Sequence, residues 1–142
     1  MLKSYTIATG NYHSTQSAAN ILDQGGNAYD AILAALFMSF VCEPLLSSPG
    51  GGGYLLAKPK DKKAQILDFF AQTPHSKKSI EKDFYPIQGD FGETQQEFHI
   101  GMASAATPGI PAGIFAIHKK FGSMPLNEIA DAAINKANSG MI

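Results

Sequence analysis

Gly25-Gly26-Asn27-Ala28-Tyr29-Asp30-Ala31, continuing through an apolar run to Gly50-Gly51-Gly52-Gly53-Tyr54, is the stretch around which the chain is organised. It reads as a turn, an apolar helix, a glycine run and a strand. Gly25 and Gly26 end one helix. Asn27 is a favourable N-cap for the next, and Asp30 puts a carboxylate in its first turn, where the helix dipole favours negative charge. From Ala28 to Cys42 the side chains are almost all Ala, Ile, Leu, Phe, Met and Val. A helix apolar on every face belongs in a core. Pro44 stops it. At about 15 residues it is shorter than the roughly 20 apolar residues that cross a bilayer. The expectation is a central core helix, then a buried glycine loop where backbone passes too closely for side chains.

Composition bounds the rest. The chain has 142 residues, a formal net charge of −1 and 16% charged residues. That length fits at most one ordinary domain, burying about two-thirds of its unfolded surface. No general basic field exists to attract nucleic acid. The single cysteine, Cys42, allows no internal disulfide and reads as a buried core thiol. Met1-Leu2-Lys3-Ser4 opens no signal peptide, so a cytoplasmic location is the default expectation. The sequence has no internal repeat and no low-complexity run.

Working outward, Tyr5 to Thr9 is β-like, and Asn11 to Ser14 is polar and turn-prone. A helix is expected from about Thr15 to Gln24, with Ala18, Ile21 and Leu22 on one stripe and Gly25 as its C-cap. After the glycine loop, Tyr54 to Lys58 and Ala64 to Phe70 read as an antiparallel hairpin around Pro59 to Lys63. Pro74 holds Ala71 to Thr73 extended. His75 to Gln96 reads as a polar surface excursion with one helical turn near Ile80 to Phe84. His99 to Ala106 reads as a strand of small residues. Helices follow over about Pro111 to Phe121, with Ile114, Ile117 and Phe121 inward, and about Asn127 to Asn138, with Ile129, Ala133 and Ile134 inward. The close on Gly140-Met141-Ile142 hints at a piece of a larger polypeptide.

No complete catalytic set emerges from residue types. A P-loop needs Gly-x4-Gly-Lys-Ser/Thr opening a helix, whereas Gly50 to Gly53 lead into a strand with no lysine. His13, His75, His99 and His118 stand at no metal-ligand spacing. His118, before Lys119 and Lys120, reads as a solvated base at a helix C-terminus. Ser47, Ser48 and Ser104 lie outside any Gly-x-Ser-x-Gly elbow and read as loop residues. Asp68 and Glu43 read as ion-pair or capping partners.

The order of motifs nonetheless resembles the N-terminal part of the large subunit of γ-glutamyltranspeptidases. The matching pieces are Ala8-Thr9-Gly10; Ala19 through Ala31, with its Gly-Gly-Asn-Ala-x-Asp-Ala run; Glu43-Pro44; Gly50 to Tyr54; Leu67-Asp68; Thr107-Pro108-Gly109; Phe121 to Leu126; and Ala133 to Gly140. The resemblance spans nearly the whole chain except Ser79 to Gln96, making residues 1–142 a partial large-subunit domain. It implies an α+β fold, the N-terminal portion of the αββα sandwich of N-terminal-nucleophile hydrolases. It also implies a self-cleaving precursor whose new N-terminal threonine attacks a γ-glutamyl amide, as in glutathione, with its own amine as base. The acyl group then passes to water or an amino acid. No cofactor or metal is implied. That threonine lies beyond residue 142, on a small catalytic subunit or C-terminal continuation. This chain alone is expected to carry no catalytic residue and to be inactive, with half of its buried helix surface uncovered.

One departure bears on specificity. The family's strand after the hairpin continues Asp-x-Arg-Glu-x-Ala-Pro, and its arginine holds the α-carboxylate of the glutamyl group. Here Asp68-Phe69-Phe70-Ala71-Gln72-Thr73-Pro74 puts Phe70 at the arginine's place and Ala71 at the glutamate's. A phenyl ring makes no bidentate contact with a carboxylate, a contact worth roughly 1.5–3 kcal/mol. Phe70 is therefore the expected substrate-binding position. A related acylase with a non-glutamyl acyl pocket is the alternative activity, and a non-catalytic remnant or binding module the alternative class.

Overall fold

The computed structural model describes residues 4–75 and 83–140. The chain divides into two compact units, Met1–Phe70 with Pro108–Ile142, and Ala71–Thr107.

The first unit is built on two helices, α1 (Tyr12–Asp23) and α2 (Ala28–Cys42). α1 starts earlier than its apolar stripe implies, because the Asn11 side chain accepts the His13 N–H at 2.8 Å and caps it. The chain leaves α1 through Gly25, whose φ of 104° favours glycine, and the Gly26 N–H closes onto Ile21 O at 2.9 Å. α2 opens with a reciprocal capping box. Asn27 Oδ1 accepts the Tyr29 and Asp30 N–H groups, and Asp30 Oδ2 accepts the Asn27 N–H. Ser17 and Ala18 of α1 and Ala31, Ala34 and Ala35 of α2 are buried, small residues that let two helices approach closely. Ser17 Oγ donates to Ala34 O across that contact.

β1 (Gly53–Ala57) pairs antiparallel with β2 (Gln65–Phe69) in the register Tyr54↔Asp68 and Leu56↔Ile66. Alternation sends Leu55, Leu67 and Phe69 to the core and leaves Tyr54, Leu56, Ile66 and Asp68 exposed. α3 (Ile110–Phe121) and α4 (Leu126–Ser139) complete the unit. Ile114, Ile117, Ile129 and Ala133 join the core. Gly51 O accepts the N–H groups of Gly109 and Ile110, so the glycine loop caps α3.

In the second unit, a Gln72–Thr107 bridge closes a segment carrying the antiparallel pair β3 (Tyr85–Asp90) and β4 (Gln95–Ile100). A short 3-10 turn, Met102–Ser104, follows, its Met102 and Ala103 N–H groups held by Asp83.

Several expectations are corrected. Tyr5 to Thr9 joins no strand pairing among the described residues. The polar excursion holds a hairpin, turned by Gly92 at φ 85°, with Asp90 accepting the Gly92 N–H. The strand placed at His99 to Ala106 is β4, ending at Ile100, because Gly101 turns the chain at φ 106°. The helical turn near Ile80 lies largely outside the described residues. Ile134 is 52% exposed, because Ile129 and Ala133 define the inward face of α4. α2 is not covered all round: Ile32 is 45% exposed, and Leu36, Phe37, Phe40 and Cys42 are half-buried. The glycine loop is exposed to half-buried, and a Cβ at Gly50 or Gly51 meets only ordinary contacts. Gly53, Gly109 and Gly113 each approach Phe69 closely. Among the described residues no helix is long and apolar enough to cross a membrane.

Candidate functional site

The partly uncovered face of α2 forms one wall of an open cleft of about 410 Å³ within the first unit. Ala8 to Gly10 contribute from the segment before α1, Ser14 from its first turn, Ile32, Leu36 and Ser39 from α2, and Gly52 to Leu55 from the end of the glycine loop and β1. The walls are mainly apolar. The polar groups are the hydroxyls of Thr9, Ser14, Ser39 and Ser47 and the Glu43 carboxylate. Two hydroxyl pairs are already engaged, Thr9 with Thr15 at 2.6 Å and Ser39 with Ser47 at 2.8 Å. Ser14 Oγ has no hydrogen-bond partner among the described residues, although the residue is only 2% exposed. The lining holds no histidine, lysine or arginine. It offers shape, hydrogen-bonding hydroxyls and one carboxylate, and no imidazole or amine.

Tyr54 lines this cleft, and against it stands Phe70, which is not among the lining residues. Phe70 follows the last residue of β2, and its N–H donates to Asp68 Oδ1 at 2.9 Å. Its ring stacks on Tyr54 with centroids 5.5 Å apart and planes 16° from parallel. Both rings face outward, Tyr54 61% and Phe70 51% exposed. Asp68 lies directly across the ladder from Tyr54, so the carboxylate and both rings share one end of the hairpin.

Of the other residues flagged in the sequence, Glu43 and Ser47 line the cleft. His13 sits on α1, edge-on to Tyr12, and His99 stacks on Phe84 in the second unit. His118 is a correction: it is half-buried, and its Nε2 lies 2.8 Å from Met124 O, tying α3 to the following loop. Cys42 is half-buried rather than a core thiol, since α2 loses its cover toward its C-terminus. Ser47 faces the cleft, whereas Ser104 Oγ donates to Gly101 O within its turn. Among the described residues no cluster of His, Cys, Asp or Glu could hold a metal ion. Residue-type reasoning missed Tyr54 as the partner of Phe70. The signal was present: on an alternating hairpin, Tyr54, Asp68 and Phe70 fall on one face.

Comparison with known proteins sets this geometry in context. The structure superposes on the crystal structure of the transpeptidase CapD from Bacillus anthracis with a TM-score of 0.72 and 29% identity, over 98% of this chain and 40% of that one. Its α+β fold is that of the N-terminal portion of an N-terminal-nucleophile hydrolase. The gamma-glutamyltranspeptidase family model matches residues 14–142, and the chain belongs to that family. It is 32% identical over 136 residues to a glutathione hydrolase proenzyme of Escherichia coli, covering 96% of this chain and 23% of that protein. It is 28% identical to an acylase ACY 1 proenzyme of a Pseudomonas species, covering 96% of this chain and 25% of that protein. The chain thus spans about a quarter of the length of these curated relatives.

Proposed function

We propose that this chain is part of a γ-glutamyltranspeptidase-like amidohydrolase or acyltransferase, as a partial large-subunit domain supplying helical scaffold and one wall of the acyl pocket. The nucleophilic threonine belongs to a partner subunit or continuation. Its hydroxyl attacks the amide carbonyl while its own amine takes the proton; the C–N bond then breaks, the amine leaves with that proton, and the acyl-enzyme ester passes its acyl group to water or an amino acid. The acyl donors on this reading are γ-glutamyl amides such as glutathione. The observation that carries the reading is the match to glutathione hydrolase and acylase proenzymes along 96% of the chain. The cleft lining agrees with it, because it is a mainly apolar binding surface.

A second reading, a related acylase with a non-glutamyl pocket, is favoured by Phe70. A ring stands where the resemblance calls for an arginine to hold an α-carboxylate. The test is Phe70→Arg in the completed enzyme. Restoring that contact should raise kcat/KM for γ-glutamyl amides about ten- to a hundredfold. Unchanged activity and substrate preference would remove Phe70 from the acyl pocket.

A further inference from the structure

We propose that Tyr54 and Phe70 together form the acyl-recognition surface, and that it takes a flat, uncharged aryl group. This inference rests on reading Phe70 as a wall of the acyl pocket. Its own support is the pairing. Tyr54 leaves the glycine loop on β1 and Phe70 leaves the end of β2, and the ladder register brings them together. Near-parallel planes with centroids 5.5 Å apart are an offset stack. Both rings keep half or more of their surface exposed, area that a third ring could cover. Tyr54 also lines the cleft, so the stack adjoins it through that ring, while Phe70 is not among the lining residues.

Charge selects against an anionic acyl group. The outward positions 54, 56, 66, 68 and 70 carry Tyr, Leu, Ile, Asp and Phe, with no lysine or arginine. The one charge there is the Asp68 carboxylate, fixed by the Phe70 N–H. An α-carboxylate seated on the rings would meet a like charge at close range, with no cation among these five positions to offset it. An aryl group meets no such penalty and gains stacking and apolar contact.

The experiment compares kcat/KM of the matured, full-length enzyme for phenylacetyl-p-nitroanilide and γ-glutamyl-p-nitroanilide, in the wild type and in Tyr54→Ala, Tyr54→Leu, Tyr54→Phe and Phe70→Ala. The wild type should prefer the phenylacetyl substrate. Tyr54→Ala and Phe70→Ala should each raise its KM roughly three- to tenfold with kcat little changed. Tyr54→Phe, which keeps the ring, should raise KM less than Tyr54→Ala. Tyr54→Leu, which keeps apolar bulk without a ring, should follow Tyr54→Ala and provides the test if that variant fails to mature. Preference for the γ-glutamyl substrate, or a substrate ratio unmoved by loss of the Tyr54 ring, would overturn the aryl assignment and leave the family activity standing. Turnover of neither amide would overturn the proposed function, and this inference with it.

Discussion

Asp30 in the first turn of α2 accepts hydrogen bonds from both the backbone N–H and the hydroxyl of Ser123, 93 residues away, at 3.0 and 2.5 Å. The carboxylate has no solvent-accessible surface. It also receives the Asn27 N–H, while the Asn27 side chain donates to Phe121 O. One buried carboxylate therefore closes the capping box of the central helix and pins the loop between α3 and α4 to it.

Asp30→Asn keeps the shape but weakens the charge-assisted bonds and sets an amide N–H₂ against donors. A loss of about 1.5–3 kcal/mol is expected, read as a lower urea midpoint with an unchanged m-value. A loss below half a kilocalorie would mean that Ser123 does not depend on this charge.

Acid should act through the same group. Burial works to raise the Asp30 pKa, but the hydrogen bonds from the Ser123 side chain, Asn27, and the Ser123 and Met124 backbones together hold it below its ordinary value of 3.8. A depressed folded pKa gives stability that is complete above the ordinary carboxylate range and is lost as pH falls through the folded value. Thermal midpoints measured downward from about pH 5 should fall more steeply for the wild type than for Asp30→Asn. Parallel profiles would contradict this.

Glycine is required where the backbone meets Phe69. A Cβ at Gly113 would stand 2.4 Å from the Phe69 ring, and helix propensity alone offers no reason for glycine inside α3. Gly113→Ala should destabilise by about 1–3 kcal/mol. Gly50→Ala, with its nearest contact at 3.6 Å, should stay within about half a kilocalorie. Chemical denaturation of the two variants side by side decides the point, and equal effects would refute it.

The two buried serines of α1 should separate in the same way. Ser17 Oγ has a partner in Ala34 O, whereas Ser14 Oγ has none among the described residues. Ser17→Ala should lower the melting temperature, and Ser14→Ala should leave it unchanged or raise it, since removing an unpaired buried hydroxyl relieves a desolvation cost of about 1–3 kcal/mol. A fall for Ser14→Ala as large as that for Ser17→Ala would show that the hydroxyl is engaged.

What could be read from the sequence was what local chemistry specifies. Asn27 and Asp30 announce their capping box, and the bounds of α2 follow from it and from Pro44. The Pro59 to Lys63 turn sets the first hairpin. Asn11 was passed over as a turn residue, although the same side-chain acceptor that makes Asn27 a cap makes it one. The β3–β4 hairpin carried a signal that the polar composition around it masked: Tyr85 and Ile87 alternate on one strand and pair with Ile100 and Phe98 on the other, although all four are exposed. The apolar surround of α2 implied full burial, but composition does not say which face has a neighbour. For the site, Phe70 could be flagged only by resemblance, and its pairing with Tyr54 needed the register of two strands.

The most direct test is intact-mass analysis of the protein purified from its native source. Recovery of this 15.1 kDa sequence, alone or within a longer chain, with an equimolar polypeptide beginning in threonine is the predicted result. A single species of about that mass, with no partner, would contradict the account and withdraw the family's catalysis from this chain.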